Sequence, residues 1–227
     1  MIVGRAEARV TPLWPGEATH RPRFGCRRSE SAQHVVFYLR DALSGAMEDE
    51  LFRAAPSERL SLAEPWLDAG HGRCGLTDED AASAIAASIL AAPQPPSRAY
   101  QLLAWCIMPS HVHALIIPRR GADLIEIVGA WMHGDGVESK TMRISARGNW
   151  SRRIFALELQ DDSCVAQAAR YIEHNPVGAG LVASPCQWRW SSAASGALFR
   201  RLFFCSAGVR GRCALAPRRP GSWADLS

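Results

Sequence analysis

The alternation of apolar and polar residues divides the chain into distinct elements. Residues 34–39, HVVFYL, are β-branched and aromatic, which predicts a strand. Over 41–55, Leu43, Met47, Leu51 and Phe52 recur at helical spacing. The segment 65–76, PWLDAGHGRCGL, is rich in glycine and reads as a loop. A helix is expected at 78–92, with Thr77 as its cap and Asp78, Glu79 and Asp80 complementing its dipole. The run PQPPS at 93–97 ends that helix. The clearest elements are 100–107, YQLLAWCI, and 111–117, HVHALII, which flank the turn MPS and read as a β-hairpin.

Further on, the pattern predicts a short amphipathic helix at 123–132, a polar turn or helix at 133–149 and an extended segment at 150–159. A helix is expected at 161–174, capped by Asp161 or Asp162 and stopped by Asn175-Pro176. Strands and helices mix without strict βα alternation, which points to an α+β fold with helices packed on one antiparallel sheet. The expected division is an irregular N-terminal extension at 1–32, a central domain at 33–195 and a basic tail at 196–227.

Composition narrows the class. The chain has 227 residues, 48 % apolar and 21 % charged, with a formal net charge of +4. Those values fit a folded core rather than a disordered or collagen-like chain. No apolar run reaches the roughly 18–20 residues of a membrane span. The opening MIVGRAEARVTPLWPG lacks the apolar core of a secretory signal, so a cytoplasmic location is expected. Seven cysteines, an odd number with no CxxC pair, argue against a disulfide framework or a zinc ribbon. Lys140 is the sole lysine, so the positive charge is almost all arginine. Between Glu173 and Asp225 there is no carboxylate, and the arginines there alternate with Trp188, Trp190, Phe199, Phe203 and Phe204. Such a stretch suits either a nucleic-acid surface or a basic tail without a partner.

Candidate chemistry lies at two spacings. His111 and His113 stand two apart in an apolar strand, so both imidazoles share one face of the sheet. Side by side they can bind a divalent metal, or they can be core histidines satisfied by backbone carbonyls. Tyr171 and Asn175 stand at i and i+4, stacked on one helix face. The Asn175 amide can add an oxygen ligand. Tyr171 can then attack an electrophile activated by that metal, or simply cover the edge of the core.

The segment MPSHVHALIIP at 108–118 resembles the histidine–hydrophobic–histidine signature of single-tyrosine transposases. YIEHNPVGAGLV at 171–182, with WRWSSA at 188–193, resembles the C-terminal signature of the REP-associated tyrosine transposases, relatives of insertion-sequence-200-like transposases. PWLDAGHGRCGL and YQLLAWCI also look like that pattern, and the resemblance spans roughly residues 34–195. It implies a ferredoxin-like α+β fold and a Mg2+ or Mn2+ ion. It also implies cleavage of single-stranded DNA beside a hairpin through a phosphotyrosine link. By position it implies His111, His113 and Asn175 as metal ligands and Tyr171 as nucleophile. Trp150, Arg152, Arg153 and Arg189 are the expected DNA contacts.

Several positions depart from the family pattern. Ser110 stands where an Asn is usual, Met132 where a Lys is common, Ser151 for a Gln, and Ala156-Leu157 for an Asp-Arg pair. Two readings follow from the same resemblance: an active, nucleoid-associated transposase, monomer or homodimer, or a decayed or domesticated hairpin-DNA-binding protein. A ferredoxin-like domain that binds a metal or a protein partner and no nucleic acid is the third.

Overall fold

A computed structural model of the chain describes residues 31–56, 58–91, 99–133, 149–159 and 161–194. The expectations for the two termini and for 134–148 lie outside the described residues. Among the described residues there are four strands: β1 (Ala32–Leu39), β2 (Tyr100–Ile107), β3 (His111–Pro118) and β4 (Trp150–Leu159). Five helices accompany them: α1 (Gly45–Arg53), α2 (Arg59–Asp68), α3 (Glu79–Ala91), α4 (Leu124–His133) and α5 (Asp162–Gly178). The strands form one antiparallel sheet in the order β2-β3-β1-β4. Helical crossovers follow β1 and β3, so the α+β fold has the ferredoxin-like arrangement.

Register decides which side chains share a face. His34 pairs with Leu115, Val36 with His113 and Tyr38 with His111, so these residues project to one side of the sheet. Phe37 projects to the other side, where its ring lies 5.9 Å from Trp131 of α4 and 5.1 Å from Trp150. On that side Trp131 Nε1 donates to the Tyr100 hydroxyl (2.7 Å), which donates to the Ile89 carbonyl of α3 (2.6 Å). Helices α3 and α4 therefore cover one face, and α2 and α5 reach the histidine face. A bulge in β2 between Leu102 and Ala104 shifts the alternation. Tyr100 and Leu102 thus face α3 and α4, while Ala104 and Cys106 pair with Leu115 and His113 on the histidine side.

The loop expected at 65–76 is half wrong. Residues 65–68 are the last turn of α2, which passes through Pro65. Proline cannot donate to the Ser61 carbonyl, yet Ala63 and Leu67 are buried at 0 % and 1 % exposure, and that packing holds the helix. The true loop begins after Asp68. Its turn needs Gly72, which has φ +80, and an added Cβ there would run into the Asp41 backbone.

Helix α3 is capped by Asp78, whose Oδ1 accepts from Ala81 N at 2.8 Å. Thr77, the expected cap, donates instead to the Cys74 carbonyl. Helix α5 does not stop at Asn175-Pro176. It continues to Gly178 because both residues are buried, at 4 % exposure for Asn175. The end is closed by Ala179 N to Asn175 O and Leu181 N to Pro176 O, each 2.9 Å, around Gly180 at φ +74. Asp161 caps its start, accepting from Cys164 N at 2.8 Å.

The segment after α5 adds to the sheet. Ile107 N bonds Trp190 O and Ser192 N bonds Trp105 O, with a β-bridge between Cys106 and Ser191. Trp188 and Trp190 are only 4 % and 7 % exposed, and the Trp188 indole donates to the Ile107 carbonyl. These two tryptophans belong to the core, so they are not open rings on a nucleic-acid surface. Among the described residues no helix is long and apolar enough to cross a membrane.

Candidate metal and tyrosine site

His111 and His113 are both fully buried on the inner face of β3. Their Nε2 atoms face each other at 3.0 Å. Each ring is held through its other nitrogen. Ser110 Oγ lies 3.1 Å from His111 Nδ1 and donates its own proton to the Leu67 carbonyl. Its lone pair therefore accepts from His111 Nδ1–H, which leaves His111 Nε2 bare. His113 Nδ1 lies 3.1 Å from His34 Nε2, a buried neighbour diagonally across the β1–β3 pair.

Burial keeps all three imidazoles neutral. The His34 pKa falls to about 4 and that of His111 to about 3. His113 is pushed down by burial first and then by its two histidine neighbours.

Helix α5 lays Asn175 and Tyr171 over this pair. Asn175 Nδ2 is 3.3 Å from His113 Nε2. Asn175 Oδ1 is buried with no hydrogen-bond partner among the described residues. A half-turn of the amide exchanges the two atoms and brings the oxygen to the histidine side. The Tyr171 ring lies 6.1 Å from the His113 ring and 6.2 Å from that of His34. Its hydroxyl bonds with Glu64 and with Asn175. Burial, and then the charges of Glu64 and Asp68, raise the Tyr171 pKa far above the usual phenol range.

Two acidic residues missed in the sequence complete the site. Glu64 and Asp68 stand one turn apart on α2. Glu64 is raised to about 7, chiefly by burial, and Asp68 is also raised to about 7 by burial. Asp68 Oδ1 lies 3.5 Å from His111 Nε2. Because His111 is neutral, this contact is not an ion pair.

The donor set fits a divalent ion. Metal–ligand bonds of about 2.1 Å at right angles place neighbouring ligand atoms about 3.0 Å apart. The His111–His113 nitrogen separation is 3.0 Å, and the orphaned Asn175 oxygen, turned to the histidine side, would supply the oxygen donor. A second grouping, His34, Glu64 and His113, has donor atoms within 4.8 Å of one another and can also hold a metal ion. It shares His113.

The expected DNA contacts are spread out. Arg152 is exposed on β4. Arg153 lies over the Phe52 ring at 3.8 Å and 3.8 Å from Glu48. Arg189 pairs with Glu79 at 3.0 Å and lies over Trp190. Trp150 is 6 % exposed against Phe37, so its ring has no open face for a base and belongs to the core.

No protein-family model and no curated protein matches the chain. Among solved structures it is similar to one described as the REP-associated tyrosine transposase bound to a REP hairpin. That similarity has a TM-score of 0.43 and 17 % identity, over 74 % of this chain and 82 % of the other.

Proposed function

We propose that the chain is a metal-dependent endonuclease and strand transferase for single-stranded, hairpin-bearing DNA, acting through Tyr171. One observation carries the reading: Tyr171, whose hydroxyl bonds Glu64 and Asn175, lays its ring 6.1 Å from that of His113, one of two imidazoles whose nitrogens face each other at 3.0 Å. The sequence resemblance over 34–195 supports it independently. A Mg2+ or Mn2+ ion bound by His111, His113 and Asn175 would polarise a scissile phosphate and offset the charge on its oxygens.

The chain's own residues do the rest. Tyr171 provides the oxygen that bonds to phosphorus as the bond to the departing strand breaks. Glu64, already bonded to the phenol, receives its proton; its carboxyl at about 7 suits that task near neutral pH. Helix α5 fixes the phenol against His113, and the buried sheet face keeps bulk water from the imidazoles. Arg152 and Arg153 on β4 serve the phosphates of the strand.

A second reading, hairpin binding without cleavage, is favoured by β4. Its residues paired with Val35 and His34 are Ala156 and Leu157, apolar side chains where the resemblance has an Asp-Arg pair. The two readings separate on a denaturing gel of labelled hairpin DNA with Mn2+. The enzyme reading expects a DNA band shifted by the mass of the protein, absent for Tyr171→Phe while hairpin binding persists. A salt-sensitive complex with no covalent band from wild type would establish the second reading instead.

A further inference from the structure

The proposed metal centre has one contact that its three ligands leave unexplained. Asp68 Oδ1 is buried, has no hydrogen-bond partner among the described residues, and lies 3.5 Å from His111 Nε2. That nitrogen is bare, because Ser110 takes the Nδ1 proton of His111. With Asp68 ionised, two lone-pair atoms face each other there. Such an arrangement is repulsive unless a proton on the carboxyl or a cation sits between them.

On the far side of His111 Nε2 lies His113 Nε2, at 3.0 Å, and beyond it the Asn175 amide, 3.3 Å from His113 Nε2, whose orphaned oxygen belongs to a residue only 4 % exposed. The placement has a local cause. Ser110 Oγ bonds the Leu67 carbonyl, which ties the end of α2 to the start of β3 and brings Asp68, the next residue, against His111. The Asp68 side chain keeps 28 % of its surface exposed, so the carboxylate stands between the buried nitrogens and solvent.

We propose that Asp68 is a fourth ligand of the divalent ion, making the centre two imidazole nitrogens and two oxygens, one of them anionic. The inference rests on the metal-centre reading above. An anionic oxygen beside a carboxamide oxygen suits a hard, six-coordinate ion such as Mg2+ or Mn2+. It also leaves two coordination positions for water or phosphate oxygens. Helix α2, and not only β3 and α5, would then be part of the centre.

The test is a Mn2+ titration of the full chain, followed by the loss of the free-ion electron-spin signal. Water-proton relaxation is read on the same samples. Wild type should bind the ion, and His111→Ala should lose it. Asp68→Ala should weaken binding at least ~10-fold and add one exchangeable water to the bound ion. Asp68→Asn keeps an oxygen, so it should weaken binding by loss of charge with the water count unchanged. If Asp68→Ala binds Mn2+ like wild type, or weakens it with no added water, Asp68 is not a ligand while the His111–His113 centre stands. If wild type binds no Mn2+, the metal-centre reading fails and takes this proposal with it. Should Asp68→Ala not fold, the Mn2+-induced shift of a carboxylate infrared band in wild type, expected to vanish in Asp68→Asn, decides the same question. A band shift retained in Asp68→Asn overturns the proposal.

Discussion

Ser110 is 1 % exposed, and its hydroxyl bridges two elements at 3.1 Å each: it donates to Leu67 O and accepts from His111 Nδ1. Ser110→Ala keeps the shape of the site and removes both bonds. The Leu67 carbonyl retains partners, since Ala69 N and Gly70 N also donate to it. The main cost is one buried imidazole N–H left without an acceptor, about 1–3 kcal/mol. For a domain of this size each kcal/mol lowers Tm by about 2–4 °C. The functional effect is separate. Without Ser110 nothing commits the His111 proton to Nδ1, and the Nε2–H tautomer, which cannot bind a metal, competes. Mn2+ affinity should fall by about 10–100-fold. Thermal melting of metal-free protein and a Mn2+ titration measure the two effects side by side. A lower Tm with unchanged Mn2+ affinity would show that Ser110 only braces the fold. No change in either would refute the bonding pattern drawn here.

Metal-free stability should pass through a maximum near pH 6.5. The three histidines have folded pKa values below their unfolded value of about 6.5, so the unfolded state binds more protons and stability is lost as pH falls towards 4 and 3. Glu64 and Asp68 are raised to about 7, so their contribution is present at acid pH and lost as pH rises through 7. Urea titrations in chelator across pH 4–8 (roughly the window of these groups) check this, and a steady rise through pH 8 would contradict it. Tyr100→Phe leaves the Trp131 indole N–H and the Ile89 carbonyl without their shared partner. It should cost about 1–3 kcal/mol by urea denaturation and leave Mn2+ affinity intact, because it lies on the opposite face of the sheet. Arg152→Ala should weaken hairpin binding and reduce the slope of log affinity against log salt by about 1; an unchanged slope would remove Arg152 from the phosphate contacts.

Much of the site was legible because its geometry is periodic. Period 2 alone sets His111 and His113 on one face of β3, and one helical turn alone stacks Tyr171 under Asn175. The strands were equally plain in their β-branched and aromatic runs. His34, Glu64 and Asp68 were not legible as site residues, for two reasons. His34 meets His113 through the pairing of β1 with β3, strands 79 residues apart at that contact, and no local pattern encodes that register. Glu64 and Asp68 straddle Pro65 and run into a glycine-rich stretch, so the local signal favours a loop. Burial of Ala63 and Leu67 overrides that signal, as burial of Asn175 and Pro176 overrides the stop expected in α5. The i, i+4 spacing of the two carboxylates was the available clue. Burial of Trp150, Trp188 and Trp190 leaves them unsuited to the DNA contact and nucleic-acid surface read for them, because composition says nothing about which side of a sheet a ring faces.

Helix α5 carries both Tyr171 and Asn175, while the two histidines ride on β3. On the proposed function, the phenol and one oxygen donor would arrive and leave together. If α5 lifted from the sheet, the remaining histidines would lose nucleophile and ligand in one movement. The ion could then not be fully held with the phenol absent, nor the reverse. Cutting by such a protein would be gated by the docking of a single helix, and anything that gripped or released α5 would act as an on–off control.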